Sequence, residues 1–329
     1  MFQIPTPEQW QKLFPLAEEL LTTEPWRRFP EELIFRLNTK ARKEPYYATV
    51  HGYEEDAIGV SVYDSEDDIR KYMNIIGHEG EITFQTIIAN QSCVTVIFGE
   101  RAFLSPGDET AMKEGNYTPA DEHHCVFFRK NRPGFAPWYI EQDDVLRLTH
   151  ALTAFNRAAA LFDAEVPDPE KAMIVFDESD GGDTVSVADF DPALIEEKED
   201  IVKDDFYVAR LKRLKRTGRA IEVDICYLNN AVGSQLGPIP FYPKLCVIAD
   251  TDEGFIADQC IFEETSDEEE AFFELIAKYF SENGLPRKIK IRRENTGHLF
   301  HDLCKRLKIT LEERDELYFI DDFLKMIGG

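Results

Sequence analysis

Hydrophobic and polar positions follow two different periods along the chain, and together these periods predict a mixed α+β protein. Near the N-terminus, apolar residues three and four apart predict an amphipathic helix that begins at Thr6, with Gln9 completing a capping box. Apolar residues with a period of two then predict strands such as YYATVHGY and SCVTVIFG, and a later helical pattern covers 143–162. We therefore expect residues 1–166 to form an N-terminal α+β sheet module.

The clearest pattern lies in the C-terminal half of the chain. Three strand candidates follow one another at 221–228, 244–250 and 255–263, and helix, strand, helix, strand and helix follow them. The predicted order of this core, 221–327, is therefore βββαβαβα. The acidic stretch DAEVPDPEK, with its two prolines, is typical of a linker. We place the second module at 167–329, beginning with a hairpin of MIVF and VSVADF.

This order resembles the ribonuclease H-like fold, and most closely the catalytic cores of integrases and transposases. VDICYL is similar to their first strand with its aspartate, and VIADTDEGFIADQCIF to their second and third strands. GLPRKIKIRREN is similar to the approach to their fourth strand. The resemblance implies a site in which acidic residues hold two divalent ions, Mg²⁺ or Mn²⁺, that activate water.

The acidic residues of such a site can be compared with this chain position by position. Asp224 matches the first aspartate, but Arg292 and Arg293 stand where the second acid is expected. A guanidinium is cationic and has no acceptor atom, so it cannot bind a metal ion. Glu294 could replace the missing acid if the strand shifted by a residue or two. The resemblance thus implies the fold with a degraded catalytic site.

Further carboxylates extend the set that a metal site would use. The turn ADTDEG contributes Asp250, which gives an alternative metal set of Asp224, Asp250 and Glu294. A plain hairpin turn needs the same residue types, and we favour that interpretation of ADTDEG. The third acid implied by the resemblance would be Asp321 or Asp322 in the last helix.

Nearly the whole chain also resembles a bacterial family of two-module proteins with no assigned activity. EPWRRF, YYATVHG, GVSVYDSEDDI and RPGFAPWYIEQDD carry this resemblance in the first module. VIADTDEGFI and GLPRKIKI carry it in the second. The resemblance supports the two-module division and implies no chemistry.

Composition and charge narrow the classes of partner. The net charge of −26 over 329 residues repels nucleic acid and anionic membranes at long range. The chain has no apolar run of membrane-spanning length and no signal-peptide pattern at its start, so we expect no membrane contact. Its six cysteines form no C-x-x-C pair and lie mostly in apolar segments, which indicates reduced thiols and a cytoplasmic location.

The stretch RPGFAPWY, 132–139, is a candidate binding loop. Its two prolines make it stiff, and its aromatic residues could either pack against the sheet or form a binding surface. We favour packing, with Arg132 as the exposed contact and Trp138 and Tyr139 as further tentative binding residues. Arg292 and Arg293 complete this tentative set.

Two basic clusters and the stretch DEHHC are candidate sites for phosphate groups and for zinc, respectively. Basic residues concentrate at 210–219 and 287–293, where they could bind phosphate groups, although acidic neighbours could neutralise them. In DEHHC, adjacent strand residues His123 and His124 point to opposite faces, and only His123 and Cys125 could share a metal. We expect no zinc site there.

Taken together, the sequence predicts a non-catalytic cytosolic interaction or scaffold protein that binds a protein partner and needs no cofactor. Two alternatives stay open. One is a nuclease or phosphoryl-transfer enzyme that uses Mg²⁺ or Mn²⁺ at Asp224 and Glu294. The other is a sensor that binds a small ligand in a crevice between the modules.

Overall fold

The computed structural model describes residues 3–52, 58–77, 82–190, 200–233, 239–262, 268–292 and 296–328. Contacts between Cα atoms divide the chain into two compact units. One unit comprises Met1–Pro133 and Pro137–Glu196, and the other comprises Gly134–Ala136 and Glu197–Gly329. Helices and strands alternate in both units, which confirms the expected α+β class.

The first unit is built on a seven-stranded sheet. Its strands are β1 (Phe35–Asn38), β2 (Tyr46–His51), β3 (Gly59–Tyr63), β4 (Cys93–Gly99), β5 (Cys125–Asn131), β6 (Ala172–Asp177) and β7 (Thr184–Asp189). Its helices are α1 (Pro7–Thr23), α2 (Glu66–Ile76), α3 (Phe84–Asn90), α4 (Pro106–Glu114) and α5 (Gln142–Leu161). The strand order is β5-β4-β3-β2-β1-β6-β7. Neighbouring strands are antiparallel except for β1 and β6, which are parallel.

Helices α1 and α5 pack on one face of this sheet and enclose its main core. Val60 and Val62 of β3 share this core with Phe155 of α5, and all three side chains are buried. Helix α1 begins where the sequence predicts. Thr6 Oγ1 accepts a hydrogen bond from Gln9 N at 3.3 Å, and Gln9 Oε1 accepts one from Thr6 N at 2.8 Å. The predicted capping box is therefore confirmed.

The opposite face of the sheet carries a row of polar residues. Thr49, Ser61, Thr95 and Arg129 are direct cross-strand neighbours on β2, β3, β4 and β5. The first three are no more than 2% exposed. A smaller apolar cluster, which includes Ile69 of α2, lies on this side. Buried hydroxyl groups of this kind require hydrogen-bond partners.

The hairpin of β6 and β7 belongs to this first sheet, which corrects the predicted module boundary at residue 167. Strand β6 runs parallel to β1, with Phe35 opposite Ile174. Buried apolar residues lie on both of its faces, Met173 on one and Ile174 on the other. A strand that is buried on both faces must lie in a sheet whose two faces are covered by other elements. Pairing with β1 places β6 in such a sheet. DAEVPDPEK therefore connects α5 to β6 within one unit.

The second unit contains a five-stranded sheet. Its strands are β8 (Ala220–Tyr227), β9 (Lys244–Asp250), β10 (Phe255–Phe262), β11 (Lys288–Arg292) and β12 (Thr310–Arg314). Its helices are α6 (Asp205–Lys212), α7 (Glu268–Asn283), α8 (Gly297–Leu307) and α9 (Tyr318–Gly328). From β8 onward the elements follow the predicted order βββαβαβα. None of the helices in the described ranges is both long enough and apolar enough to cross a membrane.

The second sheet is β10-β9-β8-β11-β12, with β8 in the middle. Strand β9 is antiparallel to β8 and β10, whereas β8, β11 and β12 are parallel. Helices α6, α7 and α8 contribute to a large core on one face, where Phe272 and Leu303 join Ile289 of β11. Helix α9 closes a smaller cluster on the other face, where Ile320 joins Val247 of β9. Alternate residues of the central strands therefore face α9.

Gly59 of β3 has no space for a side chain. A Cβ atom there would collide with the carbonyl oxygen of Val96 on β4, which the strand ladder holds in place. We expect Gly59→Ala to lower the free energy of unfolding by roughly 1–3 kcal/mol, as measured by urea denaturation.

Gly181, in the turn between β6 and β7, is the matched control. A Cβ atom there would have Ser179 Oγ as its nearest neighbour at 3.8 Å. Gly181→Ala should change the free energy of unfolding by less than about 0.5 kcal/mol. Equal losses in the two variants would contradict the steric explanation.

Candidate functional site

Strand β11 alternates basic and apolar residues, and its basic side chains lie on the face opposite the large core. Because β8, β11 and β12 run parallel, their register places acidic side chains beside this basic face. Each basic residue pairs with an acid of a neighbouring strand: Lys288 with Glu312, Lys290 with Glu222, and Arg292 with Asp224. The basic face of the strand is thereby neutralised within the unit.

Arg292 makes the most extensive of these contacts. Its Nε donates to Asp224 Oδ2 at 2.8 Å, and its Nη1 donates to the carbonyl oxygen of Asp315 at 2.8 Å. Its Nη2 forms a short hydrogen bond with Asp321 Oδ1, on the first turn of α9. The other oxygen of Asp321 accepts from the backbone N–H of Leu317 at 2.9 Å. One guanidinium therefore joins β8, β11 and the beginning of α9.

Asp224 is the most deeply buried carboxylate of this group. Its side chain has no exposed surface, and its Oδ1 accepts a hydrogen bond from the backbone N–H of Ile225 at 2.9 Å. Burial raises the pKa of Asp224 to about 6, although the positive charge of Arg292 acts in the opposite direction. The carboxylate is therefore held ionised at neutral pH by one partly exposed guanidinium.

The structure does not bring together Asp224 and Asp250 of the alternative metal set. Asp224 lies opposite Val247 in the sheet, whereas Asp250 lies opposite Ile221. Three positions along a strand correspond to about 10 Å of backbone, and the two residues also lie on different strands. Glu294, the third member of that set, and Arg293, a tentative binding residue, both lie outside the described residues. Within the described ranges, no three His, Cys, Asp or Glu side chains are grouped to hold a metal ion.

Asp250 is instead part of the turn between β9 and β10. Its Oδ1 accepts hydrogen bonds from the backbone N–H groups of Asp252 and Glu253, at 2.9 and 3.1 Å. Its Oδ2 pairs with Arg219 at 2.8 Å, and Arg219 also pairs with Glu253 at 2.6 Å. These contacts agree with the interpretation of ADTDEG as a hairpin turn.

The stretch RPGFAPWY lies beside the edge of the first sheet. Trp138 and Lys130 of β5 exchange two backbone hydrogen bonds, at 2.7 and 2.9 Å. The guanidinium of Arg129 lies over the ring of Tyr139, 5.3 Å from its centroid. Arg132, Trp138 and Tyr139 are all partly buried. The two aromatic residues therefore contact the sheet rather than project as a free surface.

The histidines of DEHHC pair with separate carboxylates. His123 Nδ1 lies 2.8 Å from Glu100 Oε1, and His124 Nδ1 lies 2.9 Å from Asp121 Oδ2. The Glu100 carboxylate raises the pKa of His123, while the Cys125 thiol is fully buried. The described geometry thus gives each ring its own acid and assembles no shared ligand set.

Sequence reasoning missed a polar network that crosses four strands of the first sheet. His51 Nε2 is hydrogen-bonded to Ser61 Oγ, and the Cys93 thiol lies 3.8 Å from the same oxygen. Asn131 Nδ2 donates to Cys93 Sγ at 3.7 Å and to Thr95 Oγ1 at 3.4 Å. Neutral groups therefore satisfy one another beneath α2 and α3.

The only sequence signal for this network is an alternation of polar and apolar residues, which is common in strands with one solvated face. Thr49 and His51 alternate with apolar residues in YYATVHGY, and Ser61 does so in GVSVY. Such alternation normally marks the solvated face of an antiparallel strand. Only the placement of α2 and α3, which the alternation does not determine, turns that face into a buried layer.

Two family models match the chain, one in each half. The first, described as Domain of unknown function (DUF7309), matches residues 10–176. The second, described as Domain of unknown function (DUF6930), matches residues 207–328. No curated protein matches the sequence. The two matches support a two-module organisation.

Removal of the guanidinium tests how strongly Asp224 depends on it. Arg292→Met leaves a buried carboxylate without its cation, so we expect a loss of roughly 3–5 kcal/mol in unfolding free energy near pH 7.5. The pKa of Asp224 is already raised to about 6 in the folded protein. Without Arg292 it should rise further. A carboxyl group whose pKa is higher in the folded than in the unfolded chain stabilises the folded state at low pH, where the group is protonated. This stabilisation is lost as the pH rises through the folded-state pKa. The loss should therefore shrink as pH is lowered to about 5, as measured by urea denaturation at several pH values.

Lys288→Met is the matched control on the same face of β11. The Lys288 and Glu312 side chains are 30% and 20% exposed, so their pair is more hydrated than that of Asp224. This variant should lose no more than about 1 kcal/mol, with little dependence on pH. An equal loss in both variants, or a loss in Arg292→Met that is constant with pH, would refute the assigned role of Asp224.

Proposed function

The chain belongs to the family described as Domain of unknown function (DUF7309), and from this premise we propose that it is a non-catalytic cytosolic interaction protein. In this proposal the second unit is a ribonuclease H-like module whose metal position is filled by Arg292. Its partner is an acidic segment of another protein. The observation that carries the proposal is the guanidinium that joins Asp224 to Asp321.

The arrangement of the second unit supports the ribonuclease H-like assignment. The elements follow the order βββαβαβα, which is the order that the resemblance implies. Asp224, which matches the first aspartate of those enzymes, lies on β8 in the middle of the sheet. Asp321 lies in the last helix, where the resemblance implies a further acid.

The contacts of Arg292 support a structural role for these two acids. In a two-metal site, carboxylates hold divalent ions that in turn bind water and the leaving oxygen. A guanidinium neutralises the same carboxylates, but it has no acceptor and no open coordination position. Its Nε, Nη1 and Nη2 are already engaged by Asp224, Asp315 and Asp321. The acids therefore stabilise the fold instead of activating water.

The state of the cysteines supports a reducing compartment. All six are free, and five of them are buried. Burial raises the pKa values of the Cys93, Cys226 and Cys304 thiols to about 12, which makes these thiols unreactive. Unpaired and unreactive thiols are typical of cytosolic proteins.

Helix α6 offers a surface for the partner. Phe206 and Arg210 of the helix and Arg213 at its C-cap are exposed at helical spacing, and Phe206 is 81% exposed. Lys212 and Lys215 are exposed beside them. These five residues are called the α6 patch. Within the part of the chain that the structure describes, no carboxylate forms an ion pair with its four basic side chains.

The other basic residues of the two clusters that the structure describes have partners, including Arg287, whose Nε donates to the carbonyl oxygen of Gly218 at 3.3 Å. Arg216 donates to the carbonyl oxygens of Leu307 and Lys308 at the end of α8, and Arg219 pairs with Asp250. Lys288, Lys290 and Arg292 are paired within the sheet, as described above. Among the described residues of the two clusters, the positive charge available to a partner is thus concentrated on the α6 patch.

The size of the α6 patch favours a short acidic segment over nucleic acid. A duplex carries one charge for about every 1.7 Å of its length, so it would extend beyond the patch over a protein of strongly negative charge. The net charge of −26 opposes that extension. An acidic peptide needs to cover only the patch, and the exposed ring of Phe206 adds an apolar contact.

The metal position is tested by thermal unfolding with and without millimolar Mg²⁺ or Mn²⁺, on the wild type and on Asp224→Asn. We expect no shift in either protein, because Arg292 already neutralises Asp224. A ligand at 100 times its dissociation constant would add about 2.7 kcal/mol and raise the midpoint by several degrees. A shift in the wild type that disappears in Asp224→Asn would overturn the proposal in favour of a metal-dependent nuclease.

The partner surface is tested by fluorescence anisotropy with three labelled probes. These are a short glutamate- and aspartate-rich peptide, a single-stranded oligonucleotide and a duplex. At physiological salt we expect the peptide to bind most tightly. The double variant Arg210→Glu, Arg213→Glu should weaken its binding by at least about tenfold, because like charges would then face each other.

Arg101→Glu, on an exposed residue of the first unit, reverses one charge outside the α6 patch, which is half of the change in the double variant. It should leave peptide affinity nearly unchanged. Tighter binding of either oligonucleotide would assign the patch to nucleic acid. Peptide binding that is absent, or equally weak in both variants, would remove the proposed partner.

A further inference from the structure

A cavity of about 300 Å³ lies between α2, α3 and the polar face of the first sheet. Tyr72 of α2 and Ile87 of α3 line one side, and His51 of β2 with Ser61 and Tyr63 of β3 line the other. A volume of this size is at the lower end of the range for sites that bind small organic molecules. The cavity is separate from every group that the proposed function uses.

The floor of the cavity is polar, and hydrogen bonds between neighbouring side chains hold its polar groups in place. Ser61 Oγ is hydrogen-bonded to His51 Nε2, and Thr49 Oγ1 lies 3.3 Å from the hydroxyl of Tyr63. Burial lowers the pKa of His51, so its ring is neutral at physiological pH. These neighbouring hydrogen bonds fix the polar groups before any ligand enters.

The charge around the cavity is negative. Glu31 and Glu32 line it and are exposed to solvent, and the described lining residues include no lysine or arginine. Glu31 is held in place because its Oε1 accepts a hydrogen bond from the backbone N–H of Gly52 at 2.6 Å. A cation at the mouth of the cavity would therefore be stabilised, whereas an anion would be repelled.

The walls of the cavity are aromatic and aliphatic. The rings of Tyr63 and Tyr72 lie 5.2 Å apart between centroids and are tilted by 43°. Ile75, Ile76 and Ile87 supply the aliphatic surface. An aromatic or aliphatic body would bury apolar area here, and the tyrosine rings would also attract a nearby cation.

We infer that this cavity binds a small organic amine, with the apolar body between α2, α3 and the two tyrosines, and with the ammonium group at Glu31 and Glu32. The first unit then has a ligand-binding role that is independent of the partner proposed for the second unit. Buried hydroxyl, imidazole and thiol groups beneath the cavity provide its preformed floor, rather than a reactive centre.

The inference is tested with three probes of nearly equal shape: phenethylamine, 2-phenylethanol and phenylacetate. Isothermal titration of the full chain near neutral pH should give the highest affinity for the amine, at least about fivefold above that of the alcohol, and the lowest for the carboxylate. Labelled isoleucine methyl groups locate the probe. Nuclear Overhauser effects from the phenethylamine ring should reach Ile76 and Ile87 but not Ile140, which is in the main core.

Substitutions of the charged groups separate a specific site from general attraction to an acidic protein. Glu32→Gln should lower phenethylamine affinity at least about threefold, and the Glu31→Gln, Glu32→Gln pair should lower it further. Glu44→Gln, an exposed glutamate that does not line the cavity, should leave it unchanged. Equal affinities for the three probes, no transfer to Ile76 and Ile87, or equal effects of Glu32→Gln and Glu44→Gln would each overturn the inference.

Discussion

The guanidinium of Arg292 is the interaction on which the second unit most depends. Helix α9 closes only a small apolar cluster, so apolar area alone gives it limited support. Polar contacts supply the rest, because Arg292 fixes Asp321 and the backbone N–H of Phe319 donates to Glu222 at 2.9 Å. The same guanidinium neutralises Asp224 in the middle of the sheet. Arg292 therefore both positions the last helix and compensates the buried charge of Asp224.

The polar faces of the two sheets satisfy their buried groups in different ways. The second unit buries Glu222 and Asp224 and compensates each with a basic residue of β11. On the polar face of the first sheet the buried groups are hydroxyl, thiol and imidazole groups, which carry no charge and satisfy one another. The buried Asp144 elsewhere in this unit is paired with Lys130. Neutral groups cost less to remove from water, and they can line a cavity without demanding a counter-ion. A cavity is therefore compatible with the first arrangement.

Local features of the fold could be predicted from the sequence, whereas features set by register could not. The capping box of Thr6 and Gln9 and the order βββαβαβα depend on residues close together in the chain. The contact of Arg292 with Asp224 depends on the register of two parallel strands, although the arginine at an acid position was a visible signal. The boundary at 167 was wrong because a crossover loop and a linker have the same composition. The row of Thr49, Ser61 and Thr95 was missed because its alternation is that of a solvated face.

The pairing of β1 with β6 has a consequence for the order in which the chain folds. Strand β1 is made early during synthesis, but its parallel neighbour follows only after helix α5 has emerged from the ribosome. Until then one edge of β1, with Phe35 and Leu37, has no strand beside it. Completion of the first sheet must therefore wait for more than half of the chain. A fragment that ends at α5 would keep that edge open and tend to pair with other copies of itself.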